Sequence, residues 1–164
     1  MLMNKYFLLF DYYLRTTSIY FFHNIIHFFN LKYPFWFLSL FCNKTYLIPL
    51  LILNRNDDIK KKYLLYNQTN KKNIFIENIK NHNEKYVFLK NDFPYNIDDN
   101  IKHYVLWCKE KSSINNIENI ITIKIRELIN KKIFSKQEYE FVFSYNVEKN
   151  KSIPEIMHYH VFIK

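Results

Sequence analysis

Three histidines lie in two segments that have the pattern of β-strands. His158 and His160 are two residues apart in "MHYHVFIK", and His103 lies in "IKHYVLWCK". Side chains two apart on a strand project from the same face, so His103 can join the pair if the two strands are neighbours in register. Imidazoles titrate near neutral pH, so the group can act as general base and acid. It can also hold a divalent metal such as zinc or iron.

A polar turn, "NDFPY", comes just before the strand that contains His103. Asn and Asp ahead of a proline are favoured in turns for conformational reasons alone, but turns at strand ends also carry many functional side chains. We therefore predict a polar pocket at the mouth of the strand. Its predicted catalytic residues are His103, His158, His160 and Asp92, its predicted ligand-binding residues include Asn91 and Tyr95, and the three histidines are its predicted metal ligands.

The same residues also allow a purely structural interpretation. A His-x-His pair at a half-buried strand can simply satisfy backbone carbonyls, and Trp107 has the character of a core residue. His23 and His27 have the helical spacing of a metal pair, but without a third ligand they are better interpreted as a polar stripe.

Several common chemistries are excluded by sequence. The chain has no glycine, so it has neither a glycine-rich phosphate loop nor the sharp nucleophile turn of a serine hydrolase. Phe162 stands where histidine-triad hydrolases need a third alternating histidine. On a regular strand Cys108 points away from His103, which argues against a Cys–His nucleophile, and Cys42 and Cys108 show no zinc-type spacing.

Helical and strand patterns predict an α+β fold. Apolar residues recur at helical spacing in "TSIYFFHNIIHFFN", "RNDDIKKKYLLYNQTN", "KKNIFIENIKNHN" and "INNIENIITIKIRELINKK", while "EYEFVFSY" alternates like the two histidine strands. Asn56 or Asp57 is placed to cap the second helix, and Ser112 or Ser113 the last. We predict a small, mostly antiparallel sheet covered by helices on one face.

Composition limits the choice of partner. The net charge of +9 comes from lysines dispersed along a chain that is rich in Asn, Ile, Tyr and Phe, as expected of an AT-rich coding sequence, so nucleic acid is a disfavoured partner. The apolar stretch from Tyr33 to Leu53 is interrupted by Asn43, Lys44 and Pro49, which argues against a membrane helix. Membrane association through residues 1–53 is left open but not favoured, and we expect a soluble, cytoplasmic domain.

Two motifs carry a family resemblance. "NDFPYNIDDNIKHYVLWC" and "SIPEIMHYHVFIK" together resemble the fungal N-acetylglucosamine-induced protein family, a small domain of unknown function. The resemblance covers residues 48–164 and leaves residues 1–47 as a separate aromatic-rich segment. It implies that Asn146 also binds the ligand, although "NVEKNKS" replaces the family's proline-rich loop, and it implies no settled reaction or cofactor.

Three functions follow from these patterns. The first is binding or hydrolysis of a small polar ligand, such as a sugar or phosphate derivative. Its most specific version adds a divalent metal held by the three histidines. The second is a non-catalytic interaction or regulatory module in which the histidines are structural. The third is a lysine-rich nucleic-acid-binding domain. Whether the protein is an enzyme, and how many copies assemble, are left open.

Overall fold

The computed structural model describes residues 17–42, 53–134, 138–145 and 153–164 of the chain. Its helices are α1 (residues 17–28), α2 (Phe35–Cys42), α3 (Asp57–Gln68), α4 (Lys71–Asn81) and α5 (Ile114–Asn130). Its strands are β1 (Tyr86–Lys90), β2 (Lys102–Cys108), β3 (Phe141–Ser144) and β4 (Met157–Ile163). The predicted α+β class is confirmed.

Polar side chains cap two of the helices where the sequence predicted. The Asn56 side chain accepts a hydrogen bond from Ile59 N–H at 2.9 Å at the start of α3. The Ser113 hydroxyl accepts one from Asn116 N–H at 3.4 Å at the start of α5. Each cap satisfies a backbone donor that has no partner within its own helix.

Two helices end on left-handed residues, and neither is glycine because the chain contains none. Lys132, after α5, has a φ of 56°, and Asn30, after α1, has a φ of 50°. Ile133 N–H donates to Leu128 O at 3.0 Å and Lys132 N–H donates to Ile129 O at 2.9 Å. This pair of bonds is a Schellman motif, and the end of α1 has the same pattern around Asn30.

The four strands form one antiparallel sheet in the order β1-β2-β4-β3. In the central pair, Val105 is opposite His160 and Trp107 is opposite His158. Strand β1 was not predicted: it is a short edge strand, and its sequence "YVFLK" shows no alternation of polar and apolar residues. The register places all three histidines on one face of the sheet.

Helices cover both faces of this sheet rather than the one face predicted. On one face, Ile117, Ile121 and Ile125 of α5 pack against the β2 and β4 side chains that alternate away from the histidines. On the other face, α1 and α2 pack around Phe162, and α4 packs around Trp107. Central strands whose side chains are buried on both faces need cover on both faces, and nearly every residue of β2 and β4 is buried.

The N-terminal helices belong to this core. Tyr33 and Phe37 are fully buried, and Tyr33 N–H donates to Asn96 O at 2.7 Å. In α1 the predicted polar stripe is wrong for His23, which is buried and stacks on the Tyr33 ring at 6.0 Å, while His27 faces outward. No helix of the described ranges is long and apolar enough to cross a membrane, and residues 43–52 of the apolar stretch lie outside those ranges.

Candidate functional site

The centre of the site is a direct contact between two buried imidazoles. His103 lies on β2 and His160 on β4, two positions apart in the register, and His103 Nε2 is 3.0 Å from His160 Nδ1. His158 lies two residues before His160, with its ring centroid 5.6 Å from the His160 centroid. All three side chains are buried. The structure therefore brings together the three histidines that the sequence placed on one face.

The hydrogen bonds determine which nitrogen carries the proton in each ring of the pair. Tyr95 N–H donates to His103 Nδ1 at 3.4 Å, so Nδ1 is an acceptor and the proton of a neutral His103 lies on Nε2. His103 Nε2–H then donates to His160 Nδ1. The proton of a neutral His160 consequently lies on Nε2, which is 3.5 Å from the Tyr95 hydroxyl. Tyr95 thus contacts the imidazole pair at both of its ends.

The polar turn holds the His103 ring in place. The Asn91 amide oxygen accepts from Phe93 N–H at 2.9 Å, which directs the amide nitrogen towards His103. That nitrogen is 3.3 Å from Nδ1 and 3.2 Å from Nε2 of the ring. The Tyr95 ring stacks on His103 from another side, with centroids 5.0 Å apart. Asn91 and Tyr95, both predicted as binding residues, therefore position His103.

His158 is held separately. Its Nδ1 is 2.9 Å from Ile156 O, and because a carbonyl only accepts, Nδ1 carries the proton. The ring packs against Trp107 with centroids 4.6 Å apart. In the neutral form its Nε2 is therefore an acceptor. Of the two rings, His158 therefore has an acceptor nitrogen, while the Nε2–H of His160 is directed at the Tyr95 hydroxyl.

Burial keeps the pair uncharged. Loss of solvent, with a smaller contribution from the Arg55 charge, lowers the pKa of His103 to about 3. The pKa of His160 is also well below its usual value, because of burial first and then the neighbouring His103, His158 and Arg55. Burial disfavours the charged form of an imidazole, so both rings are neutral at physiological pH.

A small cavity opens in front of His158 and His160, with a volume of about 100 Å³. Asn91 and Asp92 line it as well, and Asp92 is exposed at its rim. His103 and Tyr95 do not line it but lie behind His160. Asn146, the remaining predicted binding residue, lies outside the described residues.

The cavity also has residues that sequence reasoning missed. Arg55 lies at its edge with its guanidinium carbon 4.3 Å from the Tyr63 ring centroid and 4.8 Å from that of Tyr95. Its Nε–H donates to Phe93 O at 2.9 Å. The aromatic walls are formed by Tyr63, Tyr66, Phe75, Phe93 and Trp107. One available signal was that arginine is rare in this lysine-rich chain, with only three among 24 basic residues.

The three histidines are not arranged as metal ligands. In the part of the chain that the structure describes, no group of three His, Cys, Asp or Glu side chains could hold a metal ion. The direct bond between His103 and His160 also occupies a nitrogen of each ring that a metal would need. The geometry therefore gives the predicted zinc or iron centre no support.

Comparison with known proteins places the chain in a family. The family model described as "Protein of unknown function (DUF3605)" matches residues 48–164, which contain α3 to β4 and every residue of the site. The chain belongs to this family. The DUF3605 match agrees with the predicted domain of unknown function, whereas the narrower resemblance to fungal N-acetylglucosamine-induced proteins is still a prediction.

A solved structure shares the fold of this DUF3605 member. The crystal structure of a protein named HTC1 superposes with a TM-score of 0.53 at 17% sequence identity, covering 80% of this chain and 84% of that chain. At this identity the likeness concerns the fold alone. Among curated protein sequences there is no match.

Proposed function

We propose that this DUF3605 domain binds a small polar ligand in the cavity in front of His158 and His160. The observation that carries the proposal is the hydrogen-bonded imidazole pair, of which His160 faces the cavity while His103 and Tyr95 support it from behind. A ligand in the cavity would meet an acceptor at His158 and the ring of His160, whose two nitrogens are bonded to His103 and Tyr95 behind it. Its orientation would then be set by two fixed polar groups, as in most small-molecule sites.

Stability alone gives no reason for this arrangement. Apolar side chains would fill the same face of the sheet without the cost of removing polar groups from water. The neighbouring positions on this face are indeed apolar, for example Val105 and Phe162. Binding and catalytic sites are where proteins commonly retain such costly groups.

The cavity limits the size of the inserted group. A cavity of about 150 Å³ in another protein is large enough for benzene, so about 100 Å³ suits a single polar head group or part of a ring. The rings of Tyr66, Phe75 and Trp107 offer flat apolar surfaces to such a group. A sugar ring would enter only in part, and the resemblance to N-acetylglucosamine-induced proteins would make an amino-sugar derivative one candidate.

We propose binding rather than hydrolysis. General acid–base catalysis is most effective when the pKa of the catalytic group lies near the working pH. The low pKa values of His103 and His160 make both rings weak bases near neutrality. Their role is therefore to donate and accept hydrogen bonds in the neutral form.

Protein-detected NMR on the full chain tests this proposal with a panel of small probes: N-acetylglucosamine, glucosamine 6-phosphate, phenol, benzoate and phenyl phosphate. We expect at least one probe to shift the signals of His160 and Trp107 in a saturable way. His160→Phe should abolish that response, because it removes the polar imidazole and its bonds to His103 and Tyr95 while keeping a ring of similar shape. His82→Phe, at an exposed histidine outside the cavity, is the matched control and should leave it unchanged.

The rival interpretation gives a different result. If the histidines only stabilise the core, no probe will perturb the cavity signals of the wild-type chain. His160→Phe would then alter the free energy of unfolding and nothing else. That outcome would remove the proposed ligand site.

A further inference from the structure

Arg55 stands between two hollows of the molecule. One is the cavity in front of the histidines. The other is a more open hollow of about 450 Å³ on the far side, lined among others by Asn54, Asp57 and Lys60. Arg55 and Tyr63 line both hollows. The side chain of Arg55 therefore forms part of the wall of both hollows.

The guanidinium is held in place by groups that do not neutralise its charge. It lies against the Tyr63 and Tyr95 rings, and its Nε–H is bonded to the neutral Phe93 carbonyl. Asp57 lines the outer hollow and Asp92 the inner one, yet within the described residues no carboxylate forms an ion pair with Arg55. Two buried neutral imidazoles stand nearby instead.

Such a surrounding favours an incoming anion. A partly buried charge without a counter-ion is unfavourable, and native proteins usually pair it. Guanidinium has five N–H donors in a planar fork that matches the two oxygens of a carboxylate or phosphate, and only one of them is given to Phe93. Lys90 at the inner cavity and Lys60 at the outer hollow add positive potential on either side.

We propose that the ligand carries an oxyanion, either a carboxylate or a phosphate, and that this group binds Arg55 at the wall between the two hollows. This inference rests on the proposed function and specifies the class of its ligand. The ring or polar head of the ligand occupies the inner cavity, and the oxyanion lies at its mouth. The two aromatic rings that hold the guanidinium fix its direction before the ligand arrives, which reduces the entropy lost on binding.

Matched probes test the oxyanion with the wild-type chain. Phenyl phosphate, benzoate and phenol share a six-membered ring and differ in charge. We expect phenyl phosphate or benzoate to bind at least about tenfold more tightly than phenol, since hydrogen bonds to charged groups are about twice as strong as neutral ones. The affinity of the anion should fall with added salt, while that of phenol should not.

Arg55→Gln tests the residue itself. It should remove the preference for the anion and leave the response to phenol at the His160 and Trp107 signals. Arg55→Lys should retain part of the preference, because it keeps the charge but not the fork. Arg126→Gln, at an exposed arginine on α5, is the matched control and should behave as wild type.

The outcomes separate the two proposals. If phenol and phenyl phosphate bind the wild-type cavity equally, or if Arg55→Gln keeps the preference, the oxyanion proposal is overturned and the ligand site stands. If none of the probes perturbs the cavity signals, both proposals fail. The comparison of probes on the wild-type chain decides the matter even if Arg55→Gln does not fold.

Discussion

The contact between His103 and His160 requires that at least one of the two rings has an unprotonated nitrogen. A bond of 3.0 Å between two ring nitrogens needs one donor and one acceptor, which two imidazolium ions cannot provide. The Tyr95 N–H group further requires that His103 Nδ1 be unprotonated. Protonation of His103 would therefore break an interaction with Tyr95 as well as place a charge in a buried site.

The stability of the protein should consequently fall in mild acid. The pKa of His103 is about 3 in the folded chain against an ordinary value of 6.5, so between these values the unfolded chain binds a proton that the folded chain does not. The free energy of unfolding then decreases as the pH is lowered from 6.5 towards 3. The pKa of His160 is also lowered in the folded chain, so His160 adds to this loss of stability in acid. Urea unfolding between about pH 7.5 and about pH 5 should show a slope of up to about 1.4 kcal/mol per pH unit for each histidine.

The control for this prediction is the double variant His103→Phe, His160→Phe. It lacks both titrating groups and replaces them with rings of similar shape. Its free energy of unfolding should depend less on pH over this range than that of the wild type. Equal slopes in the two proteins would show that these histidines do not titrate as described.

Among the individual residues of the site, the sequence predicted the three histidines but not Arg55, and the reason is physical. The period of two along a strand was enough to place His158 and His160 on one face, and the alternation of β2 placed His103 where it could join them. Arg55 could not be found this way, because it reaches the site from a loop 48 residues before His103 along the chain. His160 faces the cavity and His103 lies behind it. This difference depends on tertiary packing, which no local sequence pattern encodes.

At the scale of the elements, the absence of glycine has a measurable cost. A non-glycine residue in the left-handed region is disfavoured by about 1–2 kcal/mol, and Lys132 occupies that region after α5. Lys132→Gly should therefore raise the free energy of unfolding by about 1 kcal/mol, measured by urea denaturation.

The neighbouring lysine provides the control. Lys131 has an ordinary φ of −76°, so Lys131→Gly relieves no strain. It should lower the stability by up to about 1 kcal/mol through the added freedom of the unfolded chain. If both variants were destabilised alike, the left-handed residue would not be strained.

Elements with a strong local signal were predicted correctly and weak ones were not. The spacing of isoleucines in α5 and the caps at Asn56 and Ser113 are encoded within a few residues. Helix α2 is only eight residues long and almost entirely apolar, so it has no polar face to indicate a period. Its position depends on the sheet face that it covers.

At the scale of the whole molecule, the segment before the family match is part of the core. The DUF3605 match begins at residue 48, yet Tyr33, Phe37 and Leu38 share one buried cluster with Tyr95 and Phe162. Tyr95 is the residue that contacts both imidazoles of the pair. The N-terminal helices therefore support the site from the side opposite the cavity.

Two phenylalanines of this segment test its contribution. Phe37 is fully buried, whereas Phe28 is 82% exposed. Phe37→Ala should lower the free energy of unfolding by about 3–5 kcal/mol, because it leaves a cavity in the core. Phe28→Ala should change it by less than about 0.5 kcal/mol. A small effect of Phe37→Ala in urea denaturation would mean that the segment is not an integral part of the fold.

Helix α3 forms one wall of the ligand cavity but has no buried residue of its own. Its Tyr63 and Tyr66 rings contact Phe93 at 5.4 and 5.0 Å, so few apolar contacts fasten it to the rest of the domain. Elements of this kind open locally at a small fraction of the global unfolding free energy. Amide hydrogens of α3 should thus exchange with deuterated solvent well before those of α5, and a bound molecule should slow them. The enclosure would then admit its guest by brief detachment of this one helix, while the sheet beneath remains intact.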